Sequence, residues 1–289
     1  MNHSTLQIFQ VVAEEQSVTR AARRLGRVQS NITTRIHQLE AELDVALFIR
    51  DSKKMTLSAE GERFLDYAKK ILSLAEEARQ AMHPTQPGGL LHMGAMEATA
   101  ASRLTPVLQQ FHRHCPQVNL VLKTMPTQQL LDCVGNTSLD CALVSLPVDA
   151  SGKPACPAGL ESVNVFSERL LLLTPGDISP DEAGRIRFAA FPDGCSYRAR
   201  GQSWLTRHSL AAKTIDVQEV GSYHGMIACL ASGNYSCLLP ESVADRLMLP
   251  ERSQRQFIDN ALTQLVWRKG YSSPALQEMK QILALHTNL

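Results

Sequence analysis

The period of the hydrophobic pattern changes once along this 289-residue chain, and that change limits what it can fold into. Up to about residue 82, apolar residues recur every three or four positions, the spacing of amphipathic helices. Beyond it, short apolar or alternating runs of strand type take turns with helical stretches. Between the two lies His83-Pro84-Thr85-Gln86-Pro87-Gly88-Gly89, a hinge by composition. A helical first part and an α/β second part are therefore expected. With 44% hydrophobic and only 5% aromatic residues, their cores must be mainly Leu, Val, Ile, Ala and Met.

Leu6, Phe9, Val12 and Ala13 predict a first helix ending at Glu14-Glu15-Gln16. Ser17 is a good N-cap for a second, carrying Val18, Ala21, Ala22 and Leu25. Gly26 interrupts the pattern as a tight turn requires, and a third helix follows from about Val28. Its apolar stripe is Ile32, Ile36, Leu39 and Leu43, while Gln29, Ser30, Thr33, Thr34 and Arg35 lie elsewhere on it. An amide suits base edges, hydroxyls suit phosphates and a guanidinium suits either, so this helix has the chemistry of a major-groove reader. From Ser17 to Leu39 there are five arginines (Arg20, Arg23, Arg24, Arg27, Arg35) and no Asp or Glu, a local basic patch hidden by the net charge of +1. If these arginines merely solvated a small bundle, neither their clustering at the turn nor the uncharged polar face of the third helix would follow. Leu47–Arg50 and Met55–Leu57, around Asp51-Ser52-Lys53-Lys54, predict a hairpin wing whose Arg50, Lys53 and Lys54 could reach the DNA backbone or minor groove.

The runs Ser17-Val-Thr-Arg-Ala-Ala-Arg-Arg-Leu, Val28-Gln-Ser-Asn-Ile-Thr-Thr-Arg-Ile-His-Gln-Leu-Glu, Leu47-Phe-Ile-Arg and Thr56-Leu-Ser-Ala-Glu-Gly resemble the signature of LysR-type transcriptional regulators, without a gap over some sixty residues. Ser30 stands where the family often has proline. The resemblance implies a protein that binds double-stranded DNA through Arg20, Val28, Gln29, Ser30, Thr33, Thr34 and Arg35, with Arg50, Lys53 and Lys54 on the wing. It also implies a homodimer through a linker helix, usually assembled into a homotetramer, with RNA polymerase a further expected partner. Ser58 can cap that helix, and Phe64, Leu65, Ala68, Ile71, Leu72, Ala75 and Ala78 give it an apolar stripe as far as Met82. The stripe must be buried, either against a second subunit or on its own domain.

The second part reads as a mostly parallel sheet. Strands are predicted at Leu90–Met96, Val118–Leu122, Leu139–Leu146, Leu170–Leu173, Arg187–Phe191, Ile215–Val220, Ser236–Leu239 and Leu262–Trp267. Helices are predicted at Val107–His114 (with Thr105 and Pro106 as N-cap and N1), Gln128–Val134, Tyr197–Arg207, Tyr223–Ala231 and Pro274–His286. The late strand and helix suggest that the chain returns to its first lobe. Two lobes crossed twice resemble the type 2 periplasmic-binding-protein fold, which this family carries as its effector domain. The expected fold is thus a two-lobed α/β effector domain preceded by an all-α winged helix-turn-helix and a linker helix. The expected divisions are 1–58, 59–82, 83–89 and 90–289, with lobe I about 90–160 and 268–289 and lobe II about 161–267.

In such sheets ligands lie at strand carboxyl ends and helix N-termini. That rule brings Glu97, Ala98 and Thr99, then Thr124 and Met125, then Cys195, Ser196 and Tyr197, and finally Ser222 and Tyr223 to an effector cleft, with Arg198 as a possible cation. Ser196 and Ser222 could equally be simple caps, and Glu97 a surface carboxylate. The run from Gly194 to Arg198, with Trp204-Leu205, Ser222–Gly233 and Leu238-Leu-Pro, is similar to one subgroup of the family, that of the enterobacterial putrescine-utilisation regulator. The corner Gly233-Asn234-Tyr235 departs from the Gly-x-Gly usual there. The expected effector is a small amine or amino-acid-like metabolite, with an aromatic acid as rival.

Seven scattered cysteines without a C-x-x-C pair argue against zinc or a disulfide framework, so neither metal nor cofactor is expected. Cys195, at a helix start, could be an activated thiol, though Cys229 and Cys237 lie far along the chain. His112 and His114 read as surface residues. No signal peptide or apolar span of about 20 residues is present, so a cytoplasmic protein off the membrane is expected. A solute-binding protein would not need residues 29–54, and no G-x-S-x-G, P-loop or H-E-x-x-H motif supports an enzyme.

Overall fold

Helix α1 (His3–Glu15) starts where the Asn2 side chain accepts from Thr5 N–H, and it stops at Gln16, whose φ of 49° is left-handed. A computed structural model describes residues 1–51, 54–82, 87–147, 155–176, 185–208 and 214–286. It divides into two units, Met1–Met82 and His83–Leu289. In the first, Ser17 caps α2 (Val18–Arg24) by accepting from Arg20 N–H. Gly26, at φ 62°, makes the turn into α3 (Gln29–Leu43). Strands β1 (Phe48–Asp51) and β2 (Lys54–Leu57) pair antiparallel, so the wing is present and the unit is not strictly all-α.

The core of this unit is Leu6, Phe9 and Val12 with Ile32, Ile36 and Leu39, closed by Leu47 and Phe48. Phe9 lies 5.4 Å from the Phe48 ring and 5.1 Å from Phe64 of α4 (Ala59–Ala81). Burying each such ring contributes about 1.5–3 kcal/mol. Ser58 Oγ donates to Ala46 O and accepts from Gly61 N–H, which pins the start of α4 under the wing. A Cβ on Gly61 would collide with the Leu47 carbonyl oxygen, so only glycine fits there.

The second unit is built on one eight-stranded sheet of order β4-β3-β5-β10-β6-β9-β7-β8. Its elements are β3 (Gly89–Ala95), α5 (Glu97–Ser102), α6 (Leu104–His114), β4 (Val118–Thr124), α7 (Thr127–Gly135) and β5 (Cys141–Val144). Next come β6 (Leu160–Thr174), β7 (Arg185–Ala190), α8 (Ser196–His208), β8 (Thr214–Glu219), α9 (Tyr223–Ala231) and β9 (Ser236–Pro240). The chain closes with α10 (Glu241–Ala244), β10 (Gln254–Arg268) and α11 (Pro274–Leu285). Strands β4-β3-β5 are parallel, as are β9-β7-β8. Between these halves run β6 and β10, antiparallel to each other and to their outer neighbours β9 and β5.

The sheet is therefore mixed: four of its seven pairings are parallel, and the three antiparallel ones, all made by β6 and β10, were not anticipated. Two strands of 15 residues each, about 50 Å at 3.3 Å per residue, run across both lobes. The crossings lie inside these strands, whereas the sequence suggested residues 160 and 268. β10 pairs with β5 through Gln264–Trp267, and β6 with β9 through Leu170–Leu173. Helices α5 and α10 were not anticipated. Thr105 and Pro106 also fall inside α6, which starts at Leu104 directly after α5 and uses no side-chain cap. Pro106 is tolerated because first-turn N–H groups have no intrahelical acceptor.

Candidate DNA interface and effector cleft

At the helix-turn-helix, α3 begins at Val28 with no side-chain cap and no acidic residue in its first turn. Its leading N–H groups and its dipole thus suit a phosphate. Val28, Gln29, Ser30, Thr34 and Arg35 are exposed and Thr33 half-exposed, while Ile32 and Ile36 are fully buried, so the helix presents the expected polar face. The arginine patch is partly neutralised from outside the stretch that lacks acids. Arg20 lies 3.2 Å from Glu15, and Arg24 lies 2.8 Å from Glu14 and 3.1 Å from Glu15. Arg27 donates to Ser4 Oγ at 3.1 Å. Exposed pairs of this kind contribute only about 0–1 kcal/mol, so a phosphate can recruit Arg20 and Arg24. Arg23 and Arg35 are exposed with no ion-pair partner among the described residues. On the wing Lys54 is exposed; Arg50 belongs to β1, and Lys53 lies outside the described residues, as do hinge residues 83–86.

The apolar stripe of α4 divides in two. Phe64, Leu65, Ala68 and Leu72 pack on the core of their own unit, so Leu65 does not belong to an open seam. Tyr67, Ile71 and Leu74 are 64%, 40% and 62% exposed, and with the exposed Ala75 and Ala78 they form a second apolar face at spacings of four, three, one and three.

Between the lobes of the second unit is a cavity of about 270 Å³. Glu97 and Ala98 from the start of α5, Thr124 and Met125 at the end of β4, and Cys195, Tyr197 and Tyr223 from the second lobe line it as expected. Pro126, Thr127 and Gly221, members of the expected cleft segments, join them, and so do Met96, Gln129, Phe191 and Pro192, which were unforeseen. The other three expected residues lie elsewhere. Thr99 is buried behind α5, Ser222 caps α9 by accepting from Gly225 N–H at 3.1 Å, and Ser196 sits behind the wall near Thr127. Arg198 is committed to Asp193 at 3.0 Å and Glu219 at 2.6 Å, and it does not line the cavity.

Glu97 is the one charged side chain among the lining residues. The rest are neutral. The Phe191 and Tyr223 rings meet edge to face at 5.0 Å. Burial raises the phenols of Tyr197 and Tyr223, which therefore stay protonated and act as neutral hydrogen-bonding groups. Burial also raises the Cys195 thiol, outweighing the Arg198 and Tyr197 backbone N–H groups that face it, so this is no activated thiolate. Helix α7 begins at Thr127 without a side-chain cap, and Gln128 N–H donates across the cleft to Gly194 O at 3.2 Å. Among the described residues no cluster of three or more His, Cys, Asp or Glu could hold a metal, and no helix is long and apolar enough to cross a membrane.

Residues 3–62 match the family model described as a bacterial regulatory helix-turn-helix protein of the lysR family, and residues 84–287 match the LysR substrate binding domain. The HTH-type transcriptional regulator YusT of Bacillus subtilis is 38% identical over 249 residues, covering 85% of this chain and 81% of that protein. The regulator GltR of the same organism is 35% identical over 248 residues, covering 84% and 81%. In fold, the chain is similar to full-length OxyR from Pseudomonas aeruginosa (TM-score 0.69, 23% identity, 99% and 95% covered). It is also similar to full-length CbnR solved with its target DNA (TM-score 0.66, 22% identity, 99% and 100% covered).

Proposed function

This chain belongs to the LysR family of DNA-binding transcriptional regulators, and from that premise we propose which residues read DNA and what the effector domain senses. Sequence is read in the major groove by Gln29, Thr33, Thr34 and Arg35, with Ser30 and the open N-terminus of α3 on the backbone. Arg20, Arg24 and the wing add contacts that do not depend on sequence. Two copies pair through the outer face of α4, and pairs of dimers form the tetramer. The protein works in the cytoplasm, where RNA polymerase is its further partner, and like its relatives it is a regulator rather than an enzyme.

The effector is a small amine or amino-acid-like metabolite held between the lobes. The observation that carries this reading is Glu97, the single charge on an otherwise neutral cavity wall, which suits an ammonium group. The uncapped start of α7 suits a carboxylate at the other end of the same molecule. The likeness to the putrescine-utilisation subgroup points the same way, toward polyamine breakdown. The Phe191–Tyr223 wall favours an aromatic acid as the second reading. Calorimetry on the full chain with diamines, amino acids and aromatic acids separates them. The amine reading expects binding by one of the first two classes and its loss in Glu97→Gln; tight binding of an aromatic acid with Glu97→Gln harmless would overturn it.

A further inference from the structure

Three of the four helices in the first unit open on a side-chain cap. Asn2 accepts from Thr5 N–H at the start of α1, Ser17 from Arg20 N–H at α2, and Ser58 from Gly61 N–H at α4. Helix α3 opens on Val28 instead, with extended backbone at φ −79° and ψ 147° and a side chain that caps nothing. Serine, threonine, asparagine and aspartate all suit an N-cap far better than valine, so the stability of α3 does not explain this residue. Packing does not explain it either. Val28 is 69% exposed, while Ile32 and Ile36 of the same helix are fully buried. It is the one large apolar side chain exposed between residues 16 and 44, and its neighbours Arg27, Gln29, Ser30 and Asn31 are exposed and polar.

A lone exposed valine is ordinary on a protein surface. This one stands at the leading end of α3, where the first residues of a recognition helix meet base edges. In the major groove, the apolar group that tells one base from another is the 5-methyl of thymine. A serine at position 28 would turn its hydroxyl back onto the helix, as Ser17 does in α2. Valine has no such alternative, and its methyl groups stay in solvent until something apolar covers them. We propose that Val28 reads the 5-methyl group of one thymine in each operator half-site and selects that base by apolar contact. The inference rests on the reading that α3 lies in the major groove. Gln29 and Arg35 keep their separate roles in hydrogen bonding to base edges.

Replacing thymine by deoxyuridine removes that methyl group and nothing else. Each thymine of an operator selected from genomic fragments is replaced in turn, and affinity is followed by anisotropy on the full chain. The wild type is compared with Val28→Ala, Val28→Ser and Gln29→Ala. At one thymine of a half-site, the wild type should lose about three- to fivefold in affinity, the weight of one methyl group returned to water. Val28→Ala and Val28→Ser should bind the thymine operator more weakly by a similar factor and random duplex as the wild type does. Both should nearly lose the distinction between uracil and thymine at that position. Val28→Ser gains a cap and should unfold at a higher temperature than Val28→Ala, which separates weaker DNA binding from a weaker helix. Gln29→Ala should lower operator preference yet keep the uracil penalty, so failure of the α3 reading and failure of the methyl contact are told apart. Two results would overturn the proposal. One is a wild type with no uracil penalty at any thymine. The other is a penalty that both Val28 variants retain, as it would be if the methyl of Thr33 or Thr34 made the contact.

Discussion

Single side chains in this protein differ most in whether their partners are already fixed. Arg198 and Arg20 look alike in sequence, yet Arg198 is held between two carboxylates with its side chain 11% exposed, while Arg20 is 62% exposed against one. The second can be recruited by phosphate and the first cannot. Lys54→Ala, at the exposed end of the wing, should weaken binding to all duplexes alike and flatten the salt dependence by about one unit of slope, measured by anisotropy from low to physiological salt. Cys195 carries the opposite lesson, because its helix-start position suggests an activated thiol but burial decides its proton. The raised value keeps the thiol protonated at neutral pH, so at pH 8 iodoacetamide should modify Cys195 more slowly than free cysteine. Faster modification, read by mass spectrometry, would contradict that assignment.

At the scale of elements, sequence and structure agree wherever a cap or a stripe carries the signal. Ser17, Ser58 and Gly26 announced their helix ends, and Ile32, Ile36 and Leu39 announced the buried side of α3. The first halves of β6 and β10 were not legible, because Glu161, Val163 and Asn164, like residues 254–257, are exposed and lack an apolar run. Without these halves the antiparallel crossings could not be read. In the cleft, the segments were legible but not the side chains that face inward. Thr99 lies two residues after Glu97 on a helix and so turns to the other side, and Met96 carries no polar signal at all. The split of α4 gives two opposite expectations. Leu74→Glu, on the open face, should shift a dimer toward monomer in light scattering with the fold intact by circular dichroism. Leu65→Glu should unfold the first unit, since it places a charge against the Phe9 core. Gly61→Ala belongs with the second class, and about 2 kcal/mol or more of lost stability in urea unfolding is expected from its clash with Leu47.

For the whole molecule, the two units divide the work of a LysR regulator: one carries an exposed polar helix face with an uncapped start, the other a small cavity between lobes joined by β6 and β10. The two long strands are continuous through both lobes, so a ligand that changes the angle between lobes must bend or twist them, and their register is irregular at two places, Phe257/Asp259 and Thr263/Gln264. The central claim is that the first unit chooses DNA by sequence through α3. Anisotropy of the full chain at 150 mM salt, on an operator selected from genomic fragments and on random duplex, tests it most directly. The operator should bind about a thousandfold or more tightly than random DNA. Gln29→Ala should cut that ratio by about 1–3 kcal/mol, a factor of about 5 to 150, while leaving random-duplex affinity nearly unchanged. An operator-to-random ratio near one, or a ratio that Gln29→Ala does not alter, would contradict the account.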